Sequence, residues 1–371
     1  MTNAISIGER TDAAEISEWL RSIGDVEFVL SAKSGFEFAT HALAVSAVHS
    51  IIARGQKVTF RTTFDAASAI ERGDTILASM FGVALLARGQ MVDGRAARAQ
   101  HGEQLFQHMW DKILHNGGRL GSGIRTYVFC RDPDMPLPEA FRGGVGARRF
   151  PLRQRFAHVL AEERRSILGS PSASTDHQSA EDLTTFLYEA AKNAHEHGFE
   201  DKNGRLVRGI RGIVSEKLVL NQVSEVSRLS SALQEYVKRT KAATLLAYSV
   251  IDNGVGIHST LPPILNKPES PIDTLNRAFM DGQTRKARGM EIDAGLGLGK
   301  LRDACIRTKS HLAVKSGDLL ADRDCSVFVD STLPFLSKRI DVDLRGSTGT
   351  CVTLITPDLV AAKVNKQLGM V

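Results

Sequence analysis

Three short motifs in the C-terminal half of this 371-residue chain combine residue types that can do chemistry. In the first, Glu189 and Asn193 are four residues apart, so on a helix their side chains lie one turn apart on the same side. An amide oxygen is a neutral, hard ligand for Mg²⁺, which keeps waters and phosphate oxygens around it. A carboxylate one turn away can orient or deprotonate an attacking hydroxyl or water. This pair is therefore a candidate for metal binding and general-base catalysis.

The helix that carries this pair is predicted from a stripe of apolar residues between positions 182 and 197. The stripe recurs at the helical period and consists of Leu183, Phe186, Leu187, Ala190, Ala191 and Ala194. Glu189 and Asn193 lie beside it. Taken alone, the two residues would indicate only a solvated helix edge, so their functional interpretation depends on the motifs that follow.

The second motif is Asp252, which ends the apolar, strand-like run 244–251 and stands 59 residues after Asn193. A carboxylate at the end of a buried strand can accept a hydrogen bond from the exocyclic amine of adenine, whereas guanine presents a carbonyl there. Gly254 and Gly256 permit a tight turn and a close approach of the backbone to a ring. This motif favours an adenine site.

The third motif, Gly295, Gly297 and Gly299, begins 43 residues after Asp252 and opens a predicted helix. Glycine-rich backbone at a helix N-terminus presents free N–H groups to an anionic phosphate. The competing phosphate-binding patterns GxxxxGK[ST] and GxGxxG are not satisfied here. The segment therefore predicts phosphate binding by a helix N-terminus that belongs to neither of those two patterns.

In order and spacing the three motifs resemble the N-box, G1 box and G2 box of the GHKL superfamily. That superfamily includes gyrase, the heat-shock ATPase chaperone, histidine kinases, anti-sigma serine kinases and mismatch-repair ATPases. The resemblance covers residues 181–357 and implies an ATP pocket in which Asn193 binds Mg²⁺ and Glu189 is the catalytic base. The other residues that it implies for ATP binding are His197, Asp252, Gly254, Gly256, Thr284, Gly295, Leu296, Gly297, Leu298, Gly299, Lys300 and Thr350.

Glu189 also distinguishes branches of the superfamily, because histidine kinases usually carry Asn or another residue at that position. The pattern looks more like anti-sigma serine kinases and the ATP-hydrolysing branches. The leading hypothesis is Mg²⁺-dependent ATP hydrolysis, or phosphoryl transfer to a protein hydroxyl, that couples nucleotide state to a partner or a dimer. The alternatives are a non-hydrolysing ATP-binding switch and a histidine kinase with His158 as phosphoacceptor, where an ordinary surface histidine is the favoured interpretation.

The length of the chain suggests two domains, and turn residues followed by an arginine-dense stretch predict a connector at residues 136–180. The first unit, residues 1–135, is expected to be an α/β interaction or sensory domain, with strands at 27–31, 57–61 and 126–130 and helices at 37–53, 66–72, 75–87 and 103–114. For the second, residues 181–371, the resemblance implies a Bergerat-type α/β sandwich, a mixed sheet covered by helices on one face. An extra helix is predicted at 224–238.

Composition indicates an ordinary globular protein, with 42 % apolar and 24 % charged residues. The longest strongly apolar run, at 76–87, is shorter than the roughly 20 residues of a membrane span, and the first residues lack the features of a signal peptide. Four cysteines without CxxC spacing favour reduced thiols and a cytoplasmic location. The expected partners are ATP and a protein bound through the first domain. A homodimer and nucleic acid are left open, and no membrane partner is expected.

Overall fold

The computed structural model describes 14 parts of the chain, and every structural statement below concerns them alone. They are residues 2–92, 99–116, 119–120, 125–130, 138, 150–151, 153–168, 177–201, 203, 205–220, 223–261, 269–280, 297–327 and 334–358. Together they form a mixed α/β protein with one parallel sheet, one antiparallel sheet and helices packed on both.

The first sheet is parallel and is built by the N-terminal part of the chain. Its strands, in spatial order, are β1 (Thr2–Ser6), β2 (Asp25–Leu30), β3 (Val58–Thr62) and β4 (Gln90–Met91). The strands are separated by α1 (Ala13–Arg21), α2 (His41–Ala53), α3 (Ala66–Arg72) and α4 (Met80–Arg88), and α5 (Ala99–His115) follows β4. The predicted strands at 27–31 and 57–61 are confirmed, whereas β1 was not predicted because its short sequence has no apolar run.

One predicted helix of this unit, at 75–87, is divided in two. A short 3-10 helix (Ile76–Ala78) precedes α4, and Ser79 between them has extended backbone angles, φ −135° and ψ 177°. The 3-10 helix and α4 pack closely at Gly82. A side chain there would collide with the carbonyl oxygen of Leu77, so this packing needs a residue without a Cβ. The apolar composition alone does not reveal this break.

The second sheet has eight strands, and each of its described pairings is antiparallel. This differs from the predicted mixed sheet, in part because a two-residue turn at 317–318 folds β10 directly back on β9. The spatial order is β11-β10-β9-β12-β8-β7-β6-β5. The strands are β5 (Arg119–Leu120), β6 (Arg125–Cys130), β7 (Arg211–Val219), β8 (Thr244–Asp252), β9 (His311–Ser316), β10 (Leu319–Asp324), β11 (Ser337–Lys338) and β12 (Thr350–Pro357).

This sheet crosses the predicted domain boundary at residue 135. The strand predicted at 126–130 exists as β6, but it pairs with β7 of the second sheet rather than with the first sheet. The residues before 135 therefore build the first sheet and also extend the second. The predicted division does not separate the two sheets.

Both faces of the eight-stranded sheet are covered. On one face lie α6 (Arg153–Leu168), α7 (His177–His197) and α12 (Gly297–Arg307), whose apolar residues share a core with Ile213 and Val250. On the other face lies the N-terminal unit, whose core includes the neighbouring strand residues Val214 and Ile251. Helix α2 lies between the two sheets, which explains why 11 of its 13 residues are buried. The resemblance had implied helices on one face only.

Four shorter helices complete the described structure. They are α8 (Val223–Ser227), α9 (Ser231–Thr240), α10 (Ile257–Thr260) and α11 (Pro271–Ala278). The predicted helix at 224–238 is therefore two helices, because Ser230 caps α9 by accepting a hydrogen bond from the N–H of Leu233. Helix α11 begins at Pro271 behind a Ser270–Asp273 capping box. No helix in the described residues is long and apolar enough to cross a membrane.

One carboxylate lies in the contact between the two sheets. Glu216 on β7 is only 7 % exposed, and its Oε2 accepts a hydrogen bond from the backbone N–H of Ala39 at 2.6 Å. Its Oε1 is buried and has no hydrogen-bond partner within the part of the chain that the structure describes. Burial raises the pKa of Glu216 from 4.5 to about 7, although the Ala39 bond acts in the opposite direction.

We expect this carboxyl to make stability depend on pH in one direction. Below pH 4.5 it is protonated whether the chain is folded or unfolded, and between about 4.5 and 7 only the unfolded chain loses the proton. The free energy of unfolding of the wild type should therefore fall relative to that of Glu216→Gln by about 3 kcal/mol as the pH rises through this window, and the difference should be constant above it. Urea denaturation at pH 5, 6, 7 and 8 measures the difference.

Glu235→Gln is the matched control, since this glutamate is exposed on α9. Its difference from the wild type should change little over the same range. A Glu216→Gln difference that does not vary with pH would show that the buried carboxyl keeps an ordinary pKa.

Candidate functional site

The first and third motifs meet in the structure. Glu189 and Asn193 lie on α7 facing the N-terminal end of α12, where a methyl group placed on Gly297 would be 3.2 Å from Glu189 Oε2 and 3.3 Å from Asn193 Nδ2. In the same turn of α12, Lys300 Nζ donates a hydrogen bond to Glu189 Oε1 at 3.4 Å. The carboxylate, the amide and the glycine backbone thus face one small space.

Packing and one ion pair hold these two helices together. Leu187 of α7 is fully buried with Leu301 and Ala304 of α12 in the core on this face of the sheet. Arg307 Nη2 lies 2.8 Å from Oδ1 of Asp182, whose side chain is only 4 % exposed. Because Asp182 and Arg307 lie in the first turns of α7 and the last turn of α12, the pair fixes how the helices run past each other.

The C-terminal end of α7 contacts the second motif. Gly198 follows the helix directly, and a methyl group there would collide with Asp252 Cβ and lie 2.5 Å from the carbonyl oxygen of Ala194. A methyl group on Gly254 would lie 3.2 Å from Gly198 Cα. Only a residue without a side chain lets the helix end approach β8 so closely. The first two motifs are therefore in direct contact.

Asp252 is held rigidly at the end of β8. Its Oδ1 accepts hydrogen bonds from the backbone N–H groups of Gly254 at 2.9 Å and Thr350 at 3.0 Å, and Thr350 is its partner in the β8–β12 register. Burial raises the pKa of Asp252, while these bonds and the nearby Lys315 ammonium act to lower it. The predicted positions Asp252 and Thr350 therefore lie side by side.

Two glycines make the turns around Asp252 that other residues would not tolerate. Gly256 has φ +96°, and a methyl group there would lie 2.5 Å from the backbone nitrogen of Gly317. Gly349 has φ +79°, and a methyl group there would collide with the carbonyl oxygen of Asp252. Gly349 also donates its N–H to the carbonyl of Gly254 at 2.5 Å and accepts from the N–H of Gly317 at 2.9 Å. Three chain segments are thereby tied together beside Asp252.

Sequence reasoning missed Lys315, a buried residue behind this turn. It lies on β9 with 2 % exposure, and its Nζ donates hydrogen bonds to the carbonyl oxygens of Thr348 and Gly349, the latter at 3.3 Å. Burial lowers the pKa of Lys315 to about 8. The available signal was a lysine within an otherwise apolar central strand, but such a residue is usually placed on a solvated face.

The remaining predicted residues have different outcomes. Gly299 is buried, and Leu298 packs against the core shared by α7 and α12. His197 Nε2 lies 4.0 Å from Glu196 Oε2, and its expected place near the phosphates stays a prediction. Thr284, Gly295 and Leu296 lie outside the described residues, so their predicted contacts are not tested.

The chain has no match among models of protein families, curated proteins or solved structures. What the site can do follows from its own groups. An amide beside a helix N-terminus suits a metal-bound anion, and a buried carboxylate suits a hydrogen-bond donor. Within the described residues, no group of three or more His, Cys, Asp or Glu side chains is placed to hold a metal ion.

The close contact between α7 and β8 predicts the effect of a single methyl group. Gly198→Ala should lower the free energy of unfolding by about 1–3 kcal/mol, because the added Cβ has to displace Asp252 or the last turn of α7. Urea denaturation measures the loss, and Gly102→Ala within α5 is the control. A methyl group there would lie 3.4 Å from Met91 Cβ, an ordinary contact, and alanine favours the helix. Equal effects of the two substitutions would contradict the packing described for Gly198.

Proposed function

We propose that this protein binds ATP with Mg²⁺ in a Bergerat-type pocket formed by α7, α12 and the adjacent ends of β8 and β12, and that it cleaves or transfers the γ-phosphate. The observation that carries the proposal is that three motifs far apart in the sequence lie together. Glu189 and Asn193 face Gly297 at the start of α12, and Gly198 at the end of the same helix contacts Asp252.

The adenine end of the pocket is assigned to Asp252. Because two backbone N–H groups bond to its Oδ1, the plane of the carboxylate is fixed before any ligand arrives. Such an acceptor forms a hydrogen bond with the exocyclic amine of adenine but repels the carbonyl that guanine has at the same position. Thr350, the register partner of Asp252 on β12, would reach the base through a water molecule.

The phosphate end is assigned to the start of α12 and to the facing side of α7. The backbone N–H groups from Gly297 onward suit phosphate oxygens, and Asn193 would hold Mg²⁺, which neutralises phosphate charge when bound. Glu189 would orient or deprotonate the acceptor, and the hydrogen bond from Lys300 positions its carboxylate. Water as acceptor makes the protein an ATPase, and a serine or threonine hydroxyl makes it a protein kinase.

The contact with the N-terminal unit supports a regulatory role. Ser46 on α2 donates a hydrogen bond to the carbonyl of Thr348 at 3.0 Å, and the N–H of Thr348 donates to Ser50 Oγ at 2.9 Å. Thr348 lies two residues before Thr350. These bonds would carry a shift at the adenine end to α2, which suits a protein that reports nucleotide state to a partner.

Two substitutions separate binding from chemistry. Asp252→Asn should weaken ATP binding at least 10-fold and reduce the preference for ATP over GTP, because an amide offers a donor as well as an acceptor. Glu189→Gln should leave ATP binding within about 3-fold of the wild type but slow release of the γ-phosphate at least 100-fold. Equilibrium binding and the fate of γ-labelled ATP with Mg²⁺ provide the two measurements.

The position of the label distinguishes the possible activities. Free labelled phosphate indicates an ATPase, and labelled protein indicates a kinase. Label that stays on bound ATP in the wild type indicates the non-hydrolysing switch. The histidine kinase, with His158 exposed on α6 as phosphoacceptor, predicts acid-labile label that disappears in His158→Ala. Absence of ATP binding to the wild type would contradict the proposal as a whole.

A further inference from the structure

A cavity lies on the face of the eight-stranded sheet that is opposite α7 and α12. It has a volume of about 710 Å³ and lies between the N-terminal unit and the strands β7, β9 and β12, with α9 at one side. Its lining includes none of the residues assigned above to ATP. Its size is within the range of about 300–1,000 Å³ found for pockets that bind small molecules. We call it the Glu216 cavity.

Glu216 gives this cavity a polar group that the protein itself does not satisfy. Its side chain is more than nine-tenths buried and lines the cavity, and Oε1 has no hydrogen-bond partner within the described residues. The other oxygen, Oε2, accepts a hydrogen bond from the N–H of Ala39, a non-glycine residue with φ +65°. Above the pKa of Glu216, which is about 7, Oε1 is a buried acceptor without a donor, and such groups are costly and rare in folded proteins. A ligand that donates a hydrogen bond to Oε1 of Glu216 would explain why this oxygen has no partner in the described residues.

Four of the five Lys and Arg residues that line the cavity contact other groups, Arg339 through Asp341, and the fifth, Lys217, is exposed. Arg10 and Arg228 both contact the carboxylate of Glu225, at 3.2 Å and 3.4 Å. Lys315 donates to backbone carbonyls behind the adenine end of the nucleotide pocket. Glu216 therefore has no cationic partner in the wall, and its neighbourhood favours an incoming positive charge.

The rest of the wall is suited to an apolar body and to a second donor. Leu229 and Leu233, at the start of α9, are among its apolar side chains. At the β9 end lies His311, whose buried Nδ1 has no partner within the described residues and whose Nε2 is 3.6 Å from Asp322. With Nε2–H directed at that carboxylate, Nδ1 of a neutral ring is an acceptor. Three strand spacings separate β7 from β9, roughly 14 Å, so His311 and Glu216 are at different ends.

We propose that the Glu216 cavity binds a small organic cation, an amine, guanidine or amidine with an apolar or extended body. The cationic group donates a hydrogen bond to Glu216 Oε1, and the body lies along the apolar wall toward His311. A ligand with a second donor group reaches His311 Nδ1. This site is distinct from the proposed ATP site, since it lies on the other face of the sheet and its lining includes none of the residues assigned to ATP.

The test uses the full chain without nucleotide at pH 8, where Glu216 is mostly ionised and the amine, amidine and guanidine groups are still cationic. Four probes of stated chemistry are compared. Phenethylamine, benzamidine and agmatine are titrated calorimetrically, with 2-phenylethanol as the neutral analogue of phenethylamine. We expect at least one of the three cations to bind the wild type, at least 10-fold more tightly than the alcohol. Glu216→Gln should weaken that binding at least 10-fold, while Glu235→Gln, the same change at an exposed site outside the cavity, should leave it within 2-fold.

A second variant keeps the result decisive if Glu216→Gln does not fold. Ala313→Leu on β9 fills part of the cavity without touching the carboxylate, and it should weaken the same probe by a similar factor. Failure of all three cations to bind the wild type overturns the proposal, as does binding that Glu216→Gln or Ala313→Leu leaves unchanged. Because no readout uses ATP, these outcomes are separate from those that test the proposed nucleotide site.

Discussion

Burial of both faces of the eight-stranded sheet is the constraint on which the rest of the structure depends. All nine residues of β8 are buried, so the strand reads as a continuous apolar run that ends in Asp252. One face needs α7 and α12 to exclude water, and the other needs the N-terminal unit with its central helix α2. Removing either layer would expose a full face of apolar side chains, so the two units form a single folded structure.

Because both faces of the sheet are buried, the few polar side chains in it are strongly affected by their surroundings. Asp252, Lys315 and Glu216 all lie where water does not reach them freely, and each has its pKa displaced toward the neutral form. Asp252 accepts hydrogen bonds from the backbone of Gly254 and Thr350, and Lys315 donates to the carbonyls of Thr348 and Gly349, so both charged groups are satisfied by backbone around the start of β12. Glu216 is matched only at Oε2. Asp252 and Lys315 therefore have a structural role, whereas Glu216, with one oxygen unpaired within the described residues, is suited to bind a ligand.

The sequence predicts those features that depend on nearby residues. The stripe beside Glu189 and the strand before Asp252 are local patterns, and each appears in the structure close to its predicted position. Pairing of β6 with β7 joins residues more than 80 positions apart, and no local pattern encodes it. Lys315 and Glu216 were not predicted for a related reason. Their burial results from a second unit packing on the sheet, which neither strand reveals by itself.

Helix α7 is one rigid element between the two ends of the candidate pocket. Asn193 faces the start of α12 and Gly198 contacts Asp252, so five residues of helix, about 7–8 Å of rise, set the spacing between the metal-ligand position and the β8 turn. A packed helix does not stretch to suit its ligand. In the proposed ATP site this fixed spacing would select ligands by length as well as by chemical type, so a ligand whose anionic and ring ends are spaced differently would not engage both at once.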